Sequence, residues 1–174
     1  MGEILTREAL VARVRDEHAA GRTVAFANGC FDILHVGHVR YLESAAREGD
    51  VLVVAINDDT SVRVLKGEGR PILAAEHRAE LVAALRAVDF VVIFPEPTVT
   101  PLLEALHPDV HCKGTDYTVD SVPERETVKA YGGRIAIVGD PKDHSTRDLL
   151  SRIGSQEPGP GLPGPGPVDP APTS

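Results

Sequence analysis

Cysteine is scarce: the 174 residues hold only Cys30 and Cys112. Both sit in apolar, strand-like surroundings without the spacing of a disulfide scaffold, as in a chain kept in a reducing compartment. Long apolar runs are missing too. No stretch reaches the roughly 18 apolar residues that a membrane span needs, and the opening MGEILTREALVARVRDEHAA lacks the apolar centre of a secretory signal. Positive charge is in deficit, with 18 Lys and Arg against 26 Asp and Glu and a net charge of -8. That balance excludes broad attraction to nucleic acid or anionic membrane, but leaves room for a local basic pocket and a small anionic substrate. The expectation is a cytoplasmic protein.

What is present suffices for one core. With 42% hydrophobic residues, a chain of this length forms one domain rather than two. Five short apolar, β-branched runs are candidate buried strands: TVAFAN (23–28), VLVVAIN (51–57), FVVIF (90–94), DVHCKG (109–114) and RIAIVG (134–139). Between them, HVRYLESAAREG (38–49), AAEHRAELVAALRAV (74–88) and TVTPLLEALH (98–107) space apolar residues three and four apart, as helices do. The alternation predicts an α/β fold with a Rossmann-like, doubly wound parallel five-stranded sheet covered on both faces. Residues 6–20 predict another amphipathic helix, capped by Thr6, that docks Leu10, Val11 and Val14 on the sheet. From Glu157 the chain reads EPGPGLPGPGPVDPAPTS, with half of its 14 prolines and no strict glycine period. Such a composition cannot form a core and predicts disorder. The folded domain is therefore expected over residues 1–154, ending in the helix TRDLLSRIG with its stop at Gly154, and the tail over 155–174.

The stretch ANGCFDILHVGHVRYLESA (27–45) raises the functional question. A strand ends at Asn28 and Gly29, and a helix begins near Val36 to His38. In doubly wound sheets, ligands bind beyond the carboxyl ends of the strands where strand order reverses. A helix N-terminus there favours phosphate through its free N–H groups and dipole. His35 and His38, three apart, can converge on one ligand, with Gly37 leaving the approach open. Two other readings compete: a zinc site using Cys30, His35, His38 and Cys112, whose spacing matches no common zinc pattern, and two ordinary surface histidines.

The string GCFDILHVGH, with HVGH at 35–38, resembles the HxGH signature of the nucleotidyltransferase superfamily. That group includes phosphopantetheine adenylyltransferase and the glycerol-phosphate and phosphoethanolamine cytidylyltransferases. VLKGEGRP (64–71), EHRAELVAALRAVDFVV (76–92), KGTDY (113–117) and AYGGRIAIV (130–138) are similar to the adenylyltransferase domain of the D-glycero-β-D-manno-heptose 1-phosphate enzymes. The likeness runs from residue 5 to residue 153, and with no sugar-kinase domain ahead of it the stand-alone form is expected.

The resemblance implies transfer of AMP from ATP to heptose 1-phosphate, giving ADP-heptose and pyrophosphate, with Mg²⁺ and in a homodimer. A sugar phosphate is already a nucleophile, so the reaction needs positioning and charge neutralisation rather than an activated side chain. On this resemblance His35 and His38 bind the triphosphate and Lys66 bridges the two phosphates. Gly29, Cys30, Phe31, Gly37, Arg78, Lys113, Gly114, Asp116, Ser145 and Thr146 contact the nucleotide, and Asp32 joins Lys66 at the sugar phosphate. Each has a plainer explanation: Arg78 can pair with Glu76 or Glu80, Ser145 and Thr146 can cap a helix, and KGTDY can be a turn. Two alternative functions stay open. A cytidylyltransferase acting on glycerol 3-phosphate is one, although the glycerol-phosphate enzymes carry a segment like Arg-Thr-x-Gly-x-Ser-Thr-Thr where this chain reads GDPKDHSTRDLL. A non-catalytic nucleotide-binding protein is the other, since fold does not fix function.

Overall fold

The computed structural model describes residues 1–140 together with 150 and 151. In chain order the elements are β1 (Glu3–Ile4), α1 (Arg7–Ala19), β2 (Val24–Gly29), α2 (Val36–Ala46), β3 (Val51–Asn57), α3 (Asp59–Lys66), α4 (Ala75–Ala83), β4 (Phe90–Phe94), α5 (Thr100–Leu106), β5 (Val110–Lys113), a 3-10 turn (Val119–Ser121), α6 (Arg125–Ala130) and β6 (Arg134–Ile137). All strands are parallel, in the order β1-β4-β3-β2-β5-β6.

The sheet has six strands where five are expected. The extra strand is β1, which pairs Glu3 with Phe90 and Ile4 with Val91. Two exposed residues carry no readable period. They are fixed by long-range backbone bonds instead: Gly2 N–H donates to Ala83 O at 2.7 Å, Glu3 N–H to Asp89 O at 2.8 Å and Leu5 N–H to Val91 O at 2.8 Å.

Strand alternation divides the core in two. Ala25, Ala27, Leu52, Val54, Ile56, Val91 and Cys112 face Leu42 and Ala45 of α2 and Ala79 and Val82 of α4. Phe26, Val53, Ala55 and Val92 face Leu10 and Val14 of α1, Leu102 and Leu103 of α5, and Val128 of α6. Every residue of β3 is buried. At about 1.5–3 kcal/mol for each fully buried large apolar side chain, its Leu52, Val53, Val54 and Ile56 anchor the centre.

The helices depart from expectation at their ends. Thr6 caps α1 through Ala9 N–H at 3.3 Å, and Leu10 and Val14 are buried as expected. The run 74–88 is helical only to Ala83. Beyond it Leu85 and Val88 donate three residues back, to Val82 O and Leu85 O, which tightens the chain into a turn. Lys66, for which the sequence periodicity assigns no helix, is the end of helix α3, capped by Asp58 through Ser61 N–H at 2.7 Å and stopped at Gly67 with φ 93°. Of the expected last helix, Leu150 and Ser151 are described. The boundary at Gly154, the proline-rich tail, Ser145 and Thr146 lie outside the described residues.

Strand order dictates where a ligand can enter. From β2 the chain steps to β3 and then β4, and α5 carries it back across the sheet to β5 on the other side of β2. The reversal opens between the carboxyl ends of β2 and β5, at Asn28–Gly29 and Lys113–Gly114.

Candidate active site

Between β2 and α2 the backbone bends sharply. Phe31 (φ 48°) and Ile33 (φ 65°) both lie in the left-handed region, at about 1–2 kcal/mol each. A Cβ on Gly29 would stand 3.1 Å from the Phe31 ring, so glycine is what lets that ring fold back beneath the turn. The chain then enters α2 with His35 as its N-cap residue, in extended geometry, and His38 in the first turn, its N–H donating to His35 O at 2.9 Å. The two imidazoles stack, centroids 3.9 Å apart, and His38 meets the edge of Phe31 at 5.3 Å. His35 makes no side-chain cap and the first turn holds no acid, so the positive end of an 11-residue helix is left to an anion.

Burial, then His35 and Lys66, lower the pKa of His38 from the ordinary 6.5 to about 4. At neutral pH His38 is an uncharged hydrogen-bond donor. The influence of Lys66 on both His38 and Cys30 puts that exposed ammonium within electrostatic reach of the histidine pair.

Two expected contact residues face inward. Asp32, buried, accepts from Arg70 Nε and from the backbone N–H groups of Ile72 at 2.9 Å and Leu73 at 3.1 Å. It fastens the segment after Lys66 onto the β2–α2 turn. Arg78 is wholly buried and bonds Leu73 O at 2.9 Å, Cys30 O at 2.6 Å, Asn57 O at 2.8 Å and Asp59 Oδ1 at 2.8 Å. It therefore joins the carboxyl ends of β2 and β3 from below, and pairs with neither Glu76 nor Glu80.

Across the reversal, Lys113 ends β5 and Gly114 follows it. Asn28 Oδ1 accepts from Lys113 Nζ at 3.0 Å and lies 3.2 Å from His111 Nε2. A Cβ on Gly114 would stand 2.9 Å from Asp116 Oδ1, which holds that turn close. Tyr117 stacks beneath the Lys113 ammonium, 5.4 Å away. Cys30 is half-buried with its Sγ 3.8 Å from Asn57 Oδ1, whereas Cys112 is buried in the core with its thiol pushed up to about 12 by burial. No three His, Cys, Asp or Glu side chains among the described residues stand together as a metal site.

Gly29, Cys30, Phe31, Asp32, His35, Gly37 and His38 thus share one turn, Lys113, Gly114 and Asp116 stand across from it, and Lys66 approaches from α3. Sequence reasoning missed Asn28 and Asn57 at the ends of β2 and β3, His111 within β5 and Glu124 just before α6, all half-buried or buried polar residues. A readable signal existed for one of them, since an imidazole inside the apolar run VHC is out of place in a covered strand.

His111 also supplies a pH test. Burial first, then Lys113, lower its pKa from 6.5 to about 3. In the unfolded chain both His38 and His111 take protons near 6.5, whereas in the folded protein they do so only near 4 and 3. Between these values the unfolded state binds more protons, so stability is full above 6.5 and lost as pH falls toward 4 and below. The urea midpoint should drop as pH is lowered from 7 to 4.5, and H111F should flatten that slope. An unchanged slope in H111F would contradict a neutral buried His111.

A parallel sheet with a helix N-terminus that carries HVGH at a strand-order reversal defines a Rossmann-like α/β domain. The cytidylyltransferase-like family model matches residues 26–151, and the chain belongs to that family. It is 47% identical to the "Bifunctional protein HldE" of Alcanivorax borkumensis over 154 residues, 88% of this chain and 32% of that protein. The protein of the same name from Geobacter sulfurreducens is 47% identical over 84% of this chain and 30% of its own length. The chain thus spans about a third of the length of these curated relatives. A solved structure described as the lipopolysaccharide core biosynthesis protein from Thermoplasma volcanium GSS1 superposes with a TM-score of 0.62 at 27% identity, covering 70% of this chain and all of that one. No helix among the described residues is long and apolar enough to cross a membrane.

Proposed function

We propose that the protein is an adenylyltransferase that transfers AMP from ATP to D-glycero-D-manno-heptose 1-phosphate, releasing pyrophosphate. The observation that carries this reading is the stacked His35–His38 pair at the acid-free N-terminus of α2. The 47% identity to HldE proteins supports the choice of acceptor.

A phosphate oxygen of the sugar phosphate attacks the α-phosphorus in line, a new P–O bond forms, and the bond to the β-phosphate breaks with its electrons leaving on pyrophosphate. His35 and neutral His38 donate hydrogen bonds to the triphosphate oxygens on which charge grows. The turn Gly29–Cys30–Phe31 and Gly37 admit the phosphates close to the backbone. Lys66 and Lys113 lower the repulsion between two anionic reactants. Asp32 and Arg78 act as positioning residues: Asp32 holds the segment that follows Lys66, and Arg78 joins the strand ends under the turn. Gly114 and Asp116 border the nucleotide, and Ser145 and Thr146 contact the β- and γ-phosphates. Mg²⁺ brought in with ATP as substrate would supply charge neutralisation on the pyrophosphate. The folded unit is residues 1–154, acting as a cytoplasmic homodimer.

Pyrophosphate release with several sugar phosphates and all four nucleoside triphosphates tests this. ATP should exceed CTP in kcat/KM by about tenfold or more, since a site that hydrogen-bonds one base edge rejects the wrong donor pattern. Comparable rates with CTP and glycerol 3-phosphate would overturn the substrate assignment. ATP binding without turnover of any acceptor would favour a non-catalytic nucleotide binder.

A further inference from the structure

On the face of the sheet opposite the histidine pair, the carboxyl ends of β2 and β5 carry a second polar group. Phe26 and Asn28 of β2 and His111 and Lys113 of β5 share that face, with His111 edge-on to Phe26 at 5.6 Å. The Asn28 side-chain oxygen is identified by its neighbour: Lys113 can only donate, so the atom it meets at 3.0 Å is the acceptor Oδ1. The His111 Nε2 facing the same oxygen at 3.2 Å must then carry its proton. One amide oxygen thereby fixes both a neutral imidazole and an ammonium.

The ammonium has a second neighbour. Glu124, 8% exposed, precedes α6 and places Oε2 3.3 Å from Lys113 Nζ. That contact is an ion pair, and Oε2, a buried oxygen, makes no hydrogen bond beyond it among the described residues. A buried carboxylate oxygen held by an ion pair alone keeps lone pairs for a further donor, which fits recognition of a ligand. Hydroxyl groups suit this pair, because each can donate to a carboxylate and accept from an ammonium at once.

Two substrates bring hydroxyls: the ribose of the nucleotide and the body of the acceptor. On the reading above the triphosphate lies with His35, His38 and α2 on the other face, and Glu124 reaches Lys113 from the side of α6, away from that pair. We infer that Glu124, with Lys113 held by Asn28 and His111, forms the subsite for the hydroxyls of a polyhydroxylated acceptor. Glu124 determines acceptor specificity, and Asn28 and His111 are positioning residues for Lys113. The inference rests on the adenylyltransferase reading above and adds where the sugar is read.

Steady-state kinetics of E124Q and E124D on the full chain test it. E124Q keeps the shape but removes the negative charge and turns one accepting oxygen into an NH2 that can only donate. E124D keeps the charge beside Lys113 but withdraws the oxygens by one methylene. Both should raise KM for heptose 1-phosphate by about tenfold or more while KM for ATP stays within about twofold, because a polar site left unmatched discriminates strongly. Thermal midpoints separate this from unfolding. A merely structural ion pair predicts normal acceptor KM in E124D. That result, or a rise in KM for ATP alone, would overturn the subsite. If the wild type instead uses a different hydroxylated phosphate, the heptose reading fails, and the same KM split on that acceptor decides the subsite by itself.

Discussion

Replacing His38 by alanine should lower kcat by about 10²-fold or more, the usual loss when one preorganised donor to developing charge is removed. The ring sits where such a donor belongs: in the first turn of α2, stacked on His35 at 3.9 Å and propped by Phe31 at 5.3 Å. It is partly exposed and outside both core clusters, so the fold should survive its loss. Saturating turnover and a thermal melt measured on the same preparation check this. A kcat within about threefold of wild type would remove His38 from the mechanism, given what such donors contribute elsewhere. Loss of bound zinc together with unfolding would revive the metal reading.

Replacing Arg78 by methionine should have the larger effect on stability, about 3–5 kcal/mol, as when one partner of a buried charged network is deleted. The three carbonyls of Cys30, Asn57 and Leu73 would be left buried without their guanidinium donors. Asp59 is half-exposed and can turn to water, so most of the loss comes from the carbonyls. Urea unfolding reads the change. Lysine at the same position should recover little, since an ammonium cannot span the fork of acceptors. Destabilisation of R78M below about 1 kcal/mol, the size of one ordinary hydrogen bond, would show that the strand ends hold together without it.

These two residues mark how differently the sequence speaks about its parts. The place of HVGH was readable because a helix N-terminus behind a strand end is local: strand end, glycine turn and helix start are contiguous, and follow from spacing. Arg78 was read as an exposed helix residue or a phosphate contact, because nothing within EHRAELV says that its side chain runs inward to Cys30 and Asn57. Asp32 likewise looks free in GCFD, yet it holds a segment some forty residues later in the chain. Nothing in VLKGEGRP says that Lys66 ends a helix, which Asp58, eight residues earlier, caps at its start.

By itself the sequence determined the class of fold, the parallel strands and the sharp turn that leads from a strand end into the helix carrying HVGH, because apolar periodicity, β-branched runs and glycine placement act over a few residues. It missed the sixth strand, since two residues carry no period and only the backbone of Phe90–Val91 makes Glu3–Ile4 a strand. It also could not report that β5 returns beside β2. Tertiary structure alone decided that return, and with it the meeting of Asn28, His111, Lys113 and Glu124. Such pairings depend on the crossover order of strands, and burial selects that order only once the whole sheet has formed.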